Sequence, residues 1–233
     1  YLDKIYNLKF RQNDVYLHRR MPQVFIDNHK INEGDVVVDV GASVGLVSLY
    51  AISKGCKQVY AVEPIPAACS IIEQIIKIGD IDNLILDECA ISNSTGTQSF
   101  FIPDFQAWNV ATGQSKVIES SLTDMGNGNK ISVDTYTFMD YINRNKIEKI
   151  DYLKCDIEGG EYDLFDNIDS DYLTNNISKI VIEYHDNEGN NKLPLIETKL
   201  SKCGFQFISA DYEGLHIDDS HRPGKEGLLY ATK

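Results

Sequence analysis

VVVDVGASVG, residues 36–45, is followed directly by the apolar run LVSLYAI at residues 46–52. β-Branched residues that lead into small residues predict a buried strand, a sharp turn and then a helix. Gly41 and Gly45 carry no Cβ, so the chain can bend there and its backbone can approach a ligand. The first amide groups of the helix would remain unpaired, and they can face an anionic group of that ligand.

The spacing of the small residues indicates which kind of nucleotide this turn binds. A dinucleotide-binding turn has the pattern G-x-G-x-x-G, but Ser43 stands where the second glycine would admit a pyrophosphate. Asp39 ends the strand, where it would repel a pyrophosphate and can accept a hydrogen bond from a ligand ammonium. The turn therefore favours a nucleoside with an amino-acid tail, and NAD fits it poorly.

Two further strand ends carry acids that suit a nucleoside. Residues 58–62 predict a second strand, and Glu63 follows it at the spacing expected of a carboxylate that binds ribose hydroxyls. Residues 83–91 predict a third strand, on which Glu88 is a candidate acceptor for the exocyclic amine of adenine. The alternative is a glycine turn followed by strands that end in ordinary acids.

A later strand leads into two closely spaced carboxylates. The strand predicted at residues 150–155 is followed by Asp156 and Glu158, which would point the same way on an extended segment. Such a pair of acids calls for a bound cation, a substrate ammonium, or a shared proton that makes one of them a general base. Glu161 is interpreted as favouring the start of the next helix.

The following strand, residues 178–186, carries Glu183 and His185 on one face. If the two strand ends are neighbours, Asp156, Glu183 and His185 offer ligands suited to Mg²⁺ or Mn²⁺. Otherwise His185 is a natural general base, because the ordinary pKa of histidine lies near neutral pH. A surface histidine without a chemical role is the alternative.

Composition limits the partners and the location of the protein. A chain of 233 residues suits one α/β domain, and a net charge of −13 argues against nucleic acid or an anionic membrane as a partner. Five scattered cysteines favour neither a disulfide framework nor a zinc site, so we expect a reducing compartment, the cytoplasm. Neither a membrane-spanning apolar run nor a signal-peptide pattern is found, and homo-oligomerisation is left open.

Two segments interrupt the alternation of strands and helices. Residues 1–30 predict a lead-in helix or hairpin, and residues 93–146 are interpreted as an insertion between the third and fourth strands. Phe105, Trp108 and Asn109 of this insertion are candidates for a lid over the substrate. The alternative is that the aromatic residues only pack the insertion onto the body of the domain.

Five motifs, in this order, resemble the FkbM family of class I S-adenosylmethionine-dependent methyltransferases. They are DVGASVG at 39–45, VEP at 62–64, AIS at 90–92, VDT at 133–135 and LKCDIEGGE at 153–161. The last motif is specific to the family, whereas the glycine turn is generic, and Ser43 replaces the usual asparagine. The resemblance implies an α/β, Rossmann-like fold: a seven-stranded, mostly parallel sheet with helices on both faces and the last strand antiparallel.

The resemblance also implies an activity and residue roles. The expected reaction is O-methylation of a sugar, glycan or natural-product small molecule, with S-adenosylmethionine as the methyl donor. Asp156 would lie nearest the methyl group, and Glu158 or His185 would take the proton. Relatives with acids at these strand ends include metal-dependent enzymes, which favours the prediction of bound Mg²⁺ or Mn²⁺. The expected cofactor-binding residues are Asp39, Gly41, Ala42, Ser43, Gly45, Glu63, Glu88 and Asp156. An NAD-dependent oxidoreductase and a non-catalytic cofactor-binding scaffold are the alternatives.

Overall fold

The structure, a computed structural model, describes residues 29–103, 116–117, 128–185, 192–211 and 226–233. Its strands are β1 (Val36–Val40), β2 (Gln58–Val62), β3 (Leu84–Asp87), β4 (Ala90–Ile91), β5 (Gly96–Pro103), β6 (Lys116–Val117), β7 (Gly128–Tyr136), β8 (Ile150–Cys155), β9 (Ile177–His185), β10 (Gln206–Asp211) and β11 (Glu226–Thr232). Its helices are α1 (Leu46–Ser53), α2 (Pro66–Gly79), α3 (Phe138–Asn145), α4 (Glu161–Asn167), α5 (Ser170–Asn176) and α6 (Leu193–Lys202).

The main sheet has seven strands in the order β10-β11-β9-β8-β1-β2-β3. Strands β3, β2, β1, β8 and β9 are parallel, and β11 runs antiparallel to both β9 and β10. The predicted fold class is therefore confirmed, including the antiparallel last strand. The chain reverses its direction of travel across the sheet between β1 and β8, and open α/β sheets bind ligands at such a switch point.

Helices cover both faces of this sheet. Apolar residues of α1 and α2 pack on one face, and those of α3, α4, α5 and α6 pack on the other. Val37 and Val38 of β1 point to opposite faces, and both are fully buried. A central parallel strand buried on both sides needs apolar residues at consecutive positions, which explains the valine run.

A second, four-stranded sheet lies where the insertion was expected, in the order β4-β7-β5-β6. The third strand was predicted to continue to residue 91, but β3 ends at Asp87. The Cys89 amide donates to the Asp87 carbonyl at 3.0 Å, and the chain then enters the second sheet as β4. Helix α3, which was assigned to the insertion, belongs to the main fold because Phe138 and Tyr141 are buried in its core.

Some predictions fall outside the part of the chain that the structure describes. They concern the lead-in segment up to residue 28 and the proposed lid residues Phe105, Trp108 and Asn109. Within the described residues, none of the helices combines the length and the apolar character that crossing a membrane requires.

Candidate active site

The turn between β1 and α1, residues 41–45, is called the glycine turn below. Gly41 and Gly45 both have positive φ, +76° and +83°. A Cβ on Gly41 would lie 1.8 Å from the Asp156 carbonyl oxygen, and one on Gly45 would lie 3.0 Å from Cγ1 of Ile72. The close approach that these glycines permit is therefore to β8 and α2 of the chain itself, whereas the sequence predicted an approach to a ligand.

Several amides of the glycine turn are bonded within the protein. The Gly41 and Ala42 amides donate to the Val62 carbonyl at 2.9 and 3.0 Å, and the Gly45 amide donates to the Ala42 carbonyl at 2.8 Å. The Ser43 amide donates to Glu63 Oε2 at 2.8 Å. These four amides donate to acceptors within the chain, so they are not available to an anionic group of a ligand.

Asp39 is fully buried, and its carboxylate is bonded to other residues of the protein. Oδ2 accepts from the Ser48 amide at 3.1 Å and from the Ser48 hydroxyl at 2.7 Å. Oδ1 lies 3.4 Å from Nζ of Lys154. The carboxylate fixes the start of α1 against β1, and its burial does not support the predicted direct contact with a ligand ammonium. Neither Ser48 nor Lys154 was identified from the sequence.

Glu63 lies beside the glycine turn and is largely buried, with 6% of its surface exposed. Besides the Ser43 amide on Oε2, the Ile65 amide donates to Oε1 at 2.9 Å. Burial raises the pKa of Glu63, whereas the hydrogen bonds from the two backbone amides lower it. The net result is a pKa of about 7. Each oxygen of a carboxylate has two lone pairs, so Glu63 keeps the capacity to accept ribose hydroxyls.

Glu88 is exposed and directly follows the end of β3. Its neighbour Asp87 is occupied instead, because the Tyr141 hydroxyl donates to Asp87 Oδ2 at 2.8 Å. Of the two acids at this strand end, Glu88 is thus the one that a ligand can reach, and its assignment to adenine stays a prediction.

The turn that follows β8 is built by Glu161, which was predicted only to favour the start of a helix. Its fully buried carboxylate accepts from the Ile157 amide at 2.9 Å and from the Gly159 amide at 3.0 Å. Glu158 has a φ of 57°, so the segment from Asp156 to Glu158 is not extended. The stated reason for the two acids to converge was therefore wrong, although a folded turn brings both toward β9.

His185 meets these acids at the end of β9. Its Nδ1 lies 3.2 Å from Glu161 Oε1, and its Nε2 lies 3.7 Å from Glu158 Oε2. Burial would lower the pKa of His185, but the hydrogen bond to Glu161 and the charges of Glu161, Glu158 and Asp156 raise it to about 11. The raised pKa favours the imidazolium form at neutral pH. That form has no free lone pair to take a proton, so the predicted role of His185 as the general base gains no support here and stays a prediction.

The residues that could bind a metal ion differ from the metal ligands that the sequence predicted. Among the described residues, Asp156, Glu161 and His185 each offer one ligand atom, and these atoms all lie within 4.8 Å of one another. Glu183 does not belong to this group; its charge instead raises the pKa of Lys154, together with those of nearer acids. Two carboxylates and an imidazole suit a divalent metal, provided that the imidazole is neutral.

The chain is similar in sequence to known methyltransferases. The family model described as "Methyltransferase FkbM domain" matches residues 39–207. The chain is 21% identical to "Methyltransferase 1" of Beauveria bassiana, over 82% of this chain and 80% of that protein. It is 26% identical to "Methyltransferase sdnD" of Sordaria araneosa, over 73% of each chain.

A solved structure shares the fold. The FkbM methyltransferase of Methylobacillus flagellatus superposes with a TM-score of 0.57 at 17% identity, covering 90% of this chain and 47% of that one. This chain thus spans about half the length of that protein. Because the family model covers most of the chain, from the glycine turn to β10, the chain belongs to the FkbM methyltransferase family.

Proposed function

We propose that this protein transfers the methyl group of S-adenosylmethionine to a hydroxyl of a small-molecule or glycan acceptor. The observation that carries the proposal is the junction of β1 and β8. The glycine turn contacts Asp156 directly, and Asp156 begins the acidic turn, residues 156–161, which lies against His185. A nucleoside-binding turn and a group of carboxylates thereby share one edge of the sheet. Methyl transfer to a hydroxyl needs both, since the two reactants must be aligned and one proton removed.

The cofactor is assigned to the edge formed by the ends of β1, β2 and β3. When bound, S-adenosylmethionine supplies a methyl group already activated by its sulfonium charge. Glu63 would accept the ribose hydroxyls, and Glu88 would accept from the adenine amine. The glycine turn would face the amino-acid tail, with Asp39 holding the turn from beneath through Ser48.

We assign Glu158 as the general base, which takes the proton from the acceptor hydroxyl. Its side chain is 18% exposed, whereas the Glu161 side chain is fully buried. Glu161 holds one ring nitrogen of His185, and the other ring nitrogen faces Glu158. The imidazolium of His185 therefore orients the Glu158 carboxylate. As the acceptor oxygen bonds to the methyl carbon and the carbon–sulfur bond breaks, the hydroxyl proton passes to Glu158 and S-adenosylhomocysteine leaves.

A divalent metal is the second candidate for the acidic turn. Asp156, Glu161 and His185 would be its ligands, and its charge would lower the pKa of a bound hydroxyl. His185 would first have to give up its proton, so Mg²⁺ or Mn²⁺ binding is expected to release protons. Calorimetry of Mg²⁺ binding in two buffers of different ionisation enthalpy measures that proton release. An absence of binding heat in both buffers would contradict the proposal of a metal site.

The state of the thiols and the net charge support our proposals for the location and the partners of the protein. The five cysteines, Cys56, Cys69, Cys89, Cys155 and Cys203, are all buried and free. Free thiols support the proposal of a reducing compartment, the cytoplasm. A net charge of −13 supports an acceptor other than nucleic acid.

The cofactor is tested by calorimetric titration with S-adenosylhomocysteine, with NAD as the control ligand. Wild-type protein is expected to bind the first and not the second. Glu63→Gln should weaken S-adenosylhomocysteine binding about tenfold, the effect of about 1.4 kcal/mol of lost hydrogen bonding, while the exposed Glu73→Gln should leave it unchanged. Binding of NAD alone would favour an oxidoreductase, and binding of neither would end the methyltransferase proposal for this chain.

The acceptor atom is tested separately, with S-adenosylmethionine labelled in its methyl group and an extract of small molecules and glycans. A methyl ether on a hydroxyl survives mild base, whereas a methyl ester on a carboxylate is hydrolysed. Base-stable label that disappears in Glu158→Gln is the expected result. Base-labile label would move the acceptor from a hydroxyl to a carboxylate.

A further inference from the structure

Lys154 is a buried cation at the junction of β1 and β8. It lies on β8 next to Asp39 of β1, and only 4% of its side chain is exposed. Its Nζ donates to the Gly41 carbonyl oxygen at 2.5 Å and lies 3.4 Å from the Val40 carbonyl oxygen. The ammonium therefore binds the backbone of the glycine turn where β1 ends.

The same ammonium faces carboxylates on both strands. Nζ lies 3.4 Å from Asp39 Oδ1 and 3.5 Å from Asp156 Oδ2. Burial lowers the pKa of Lys154, but the charges of Asp156, Asp39 and Glu183 outweigh it, so the pKa lies above its ordinary value. Lys154 is thus charged at any physiological pH.

The stability of the sheet does not require buried ion pairs of this kind. Lysine is rarely buried, and replacing buried ion pairs with apolar side chains is often neutral or stabilising. The neighbours of Lys154 on β8, Leu153 and Cys155, are fully buried apolar residues. A purely structural strand would carry a third apolar residue between them, so the charge calls for another explanation.

The positions that Lys154 joins are the two halves of the proposed reaction site. The Asp156 backbone already contacts the end of β1 and the glycine turn. Its amide donates to the carbonyl of Val40 in β1 at 3.1 Å, and its carbonyl occupies the space that a Gly41 side chain would need. Lys154 adds a contact between the turn and the Asp156 carboxylate. Without it, the main chain of Asp156 would stay in place while its side chain could turn away.

We infer that Lys154 is a positioning residue, which couples the conformation of the glycine turn to the carboxylate of Asp156. The inference rests on the proposed function, because the turn and Asp156 are taken there as the cofactor and reaction sides of one site. Lys154 contacts neither reactant in this arrangement. It acts through Gly41 on the cofactor side and through Asp156 on the side of the methyl group.

The test is a double-mutant cycle on the affinity for S-adenosylhomocysteine, measured by calorimetry, with Lys154→Met, Asp156→Asn and the double variant. Lys154→Met should weaken binding about tenfold, because Asp156 and the turn carbonyls lose their shared partner. Asp156→Asn should itself weaken binding, because Asp156 is among the expected cofactor-binding residues. The loss caused by Lys154→Met should be at least about threefold smaller when position 156 is asparagine, since the unpaired carboxylate is then gone. This non-additivity is a readout that loss of structure alone would not give.

Lys179 supplies a matched control at the opposite end of the sheet. Its Nζ also donates to a backbone carbonyl, that of Lys30, at 2.8 Å and faces a carboxylate, that of Asp35, at 3.5 Å. Lys179→Met should therefore leave the affinity for S-adenosylhomocysteine unchanged. If Lys154→Met fails to fold, the cycle is run with Lys154→Gln, which keeps an uncharged donor on a shorter side chain.

Each outcome has a definite meaning. Equal affinity in wild type and both Lys154 variants overturns the inference. So does an equal loss whether position 156 is aspartate or asparagine, since the effect would then be independent of Asp156. Failure of the wild-type protein to bind S-adenosylhomocysteine overturns the proposed function first, and is distinguished from the other outcomes because no variant is needed to observe it.

Discussion

Gly41 and Gly34 share a backbone conformation but differ in what surrounds them. Their φ angles are +76° and +81°, values that residues with a Cβ rarely adopt. A Cβ on Gly34 would have nothing within 4 Å, whereas one on Gly41 would overlap the Asp156 carbonyl oxygen. Gly34 is thus explained by its own dihedral angle, and Gly41 by the neighbouring strand as well.

Alanine at these two positions should separate the two causes. Gly34→Ala carries only the backbone penalty and should lower the free energy of unfolding by about 1 kcal/mol. Gly41→Ala adds a clash with main chain that cannot rotate away, so the loss should exceed about 4 kcal/mol or abolish folding. Urea denaturation measures both variants, and similar losses would contradict the contact between the turn and β8.

Glu63 makes stability depend on pH near neutrality. Its pKa in the folded protein, about 7, lies above the ordinary 4.5. The folded state therefore holds a proton that the unfolded chain releases earlier, and the resulting stabilisation is present in full below pH 4.5 and is lost as the pH rises through 7.

Relative to Glu63→Gln, which does not ionise, the wild type should lose up to about 3 kcal/mol of unfolding free energy over that range. Urea denaturation at a series of pH values measures the difference, and Glu73→Gln, an exposed acid, serves as the control. A difference between wild type and Glu63→Gln that stays constant with pH would contradict a raised pKa for Glu63.

The turn between β8 and α4 depends on one side chain from α4. Glu161 accepts from the Ile157 and Gly159 amides and also holds His185 of β9. Two separate parts of the chain, the turn after β8 and the end of β9, thus meet on one buried carboxylate. Glu158, whose backbone is in the left-handed region, lies between Ile157 and Gly159. The free-energy cost of this conformation is offset by the hydrogen bonds to Glu161.

Glu161→Gln should therefore disturb both the turn and the charge of His185. The amide side chain offers one acceptor oxygen in place of two, so unfolding free energy should fall by about 2–3 kcal/mol. The His185 pKa, measured by NMR of the ring nitrogens, should drop from its raised value toward 6.5. Glu73→Gln is the control for both, and an unchanged His185 pKa would show that Glu161 is not its main partner.

The described part of the molecule combines a large sheet with a small one, and the two differ in the size of their apolar cores. The main sheet is covered on both faces by extensive apolar clusters. The second sheet has a small cluster of its own, formed by Ala90, Phe100 and Val133 with Ile131 packed against it. The junction between the sheets lies at the Asp87–Ala90 break, next to the proposed cofactor edge.

Amide hydrogen exchange should show this difference. Amides of β1, β8 and β9 should exchange only by global unfolding, whereas those of β5 and β7 should exchange through a local opening of lower free energy. Mass spectrometry of peptides from both sheets measures the two rates within one sample. Equal protection would mean that the second sheet unfolds together with the main one.

Short-range patterns in the sequence predicted most of the architecture. The valine run before Gly41, the apolar spacing of α2 and the acids at strand ends are local features, because a strand, a turn and a helix depend on neighbouring residues. They predicted individual strands and the glycine turn, and the motifs indicated the family. The seven-stranded sheet with its antiparallel last strand was what the family resemblance implied. The second sheet and the break after Asp87 were missed, because pairing between distant strands decides them.

The sequence by itself determined the family and placed Glu63, Asp156 and His185 at strand ends, because motif order and strand ends are written along the chain. The tertiary structure decided which partners those residues have, including Lys154 and Glu161, whose contacts were not predicted. The charge of His185 depends on Glu161, and Gly41 is bonded to Lys154, which lies 113 residues away. A pKa or a buried ion pair depends on distances in space and on exclusion of water, and neither can be measured along the sequence.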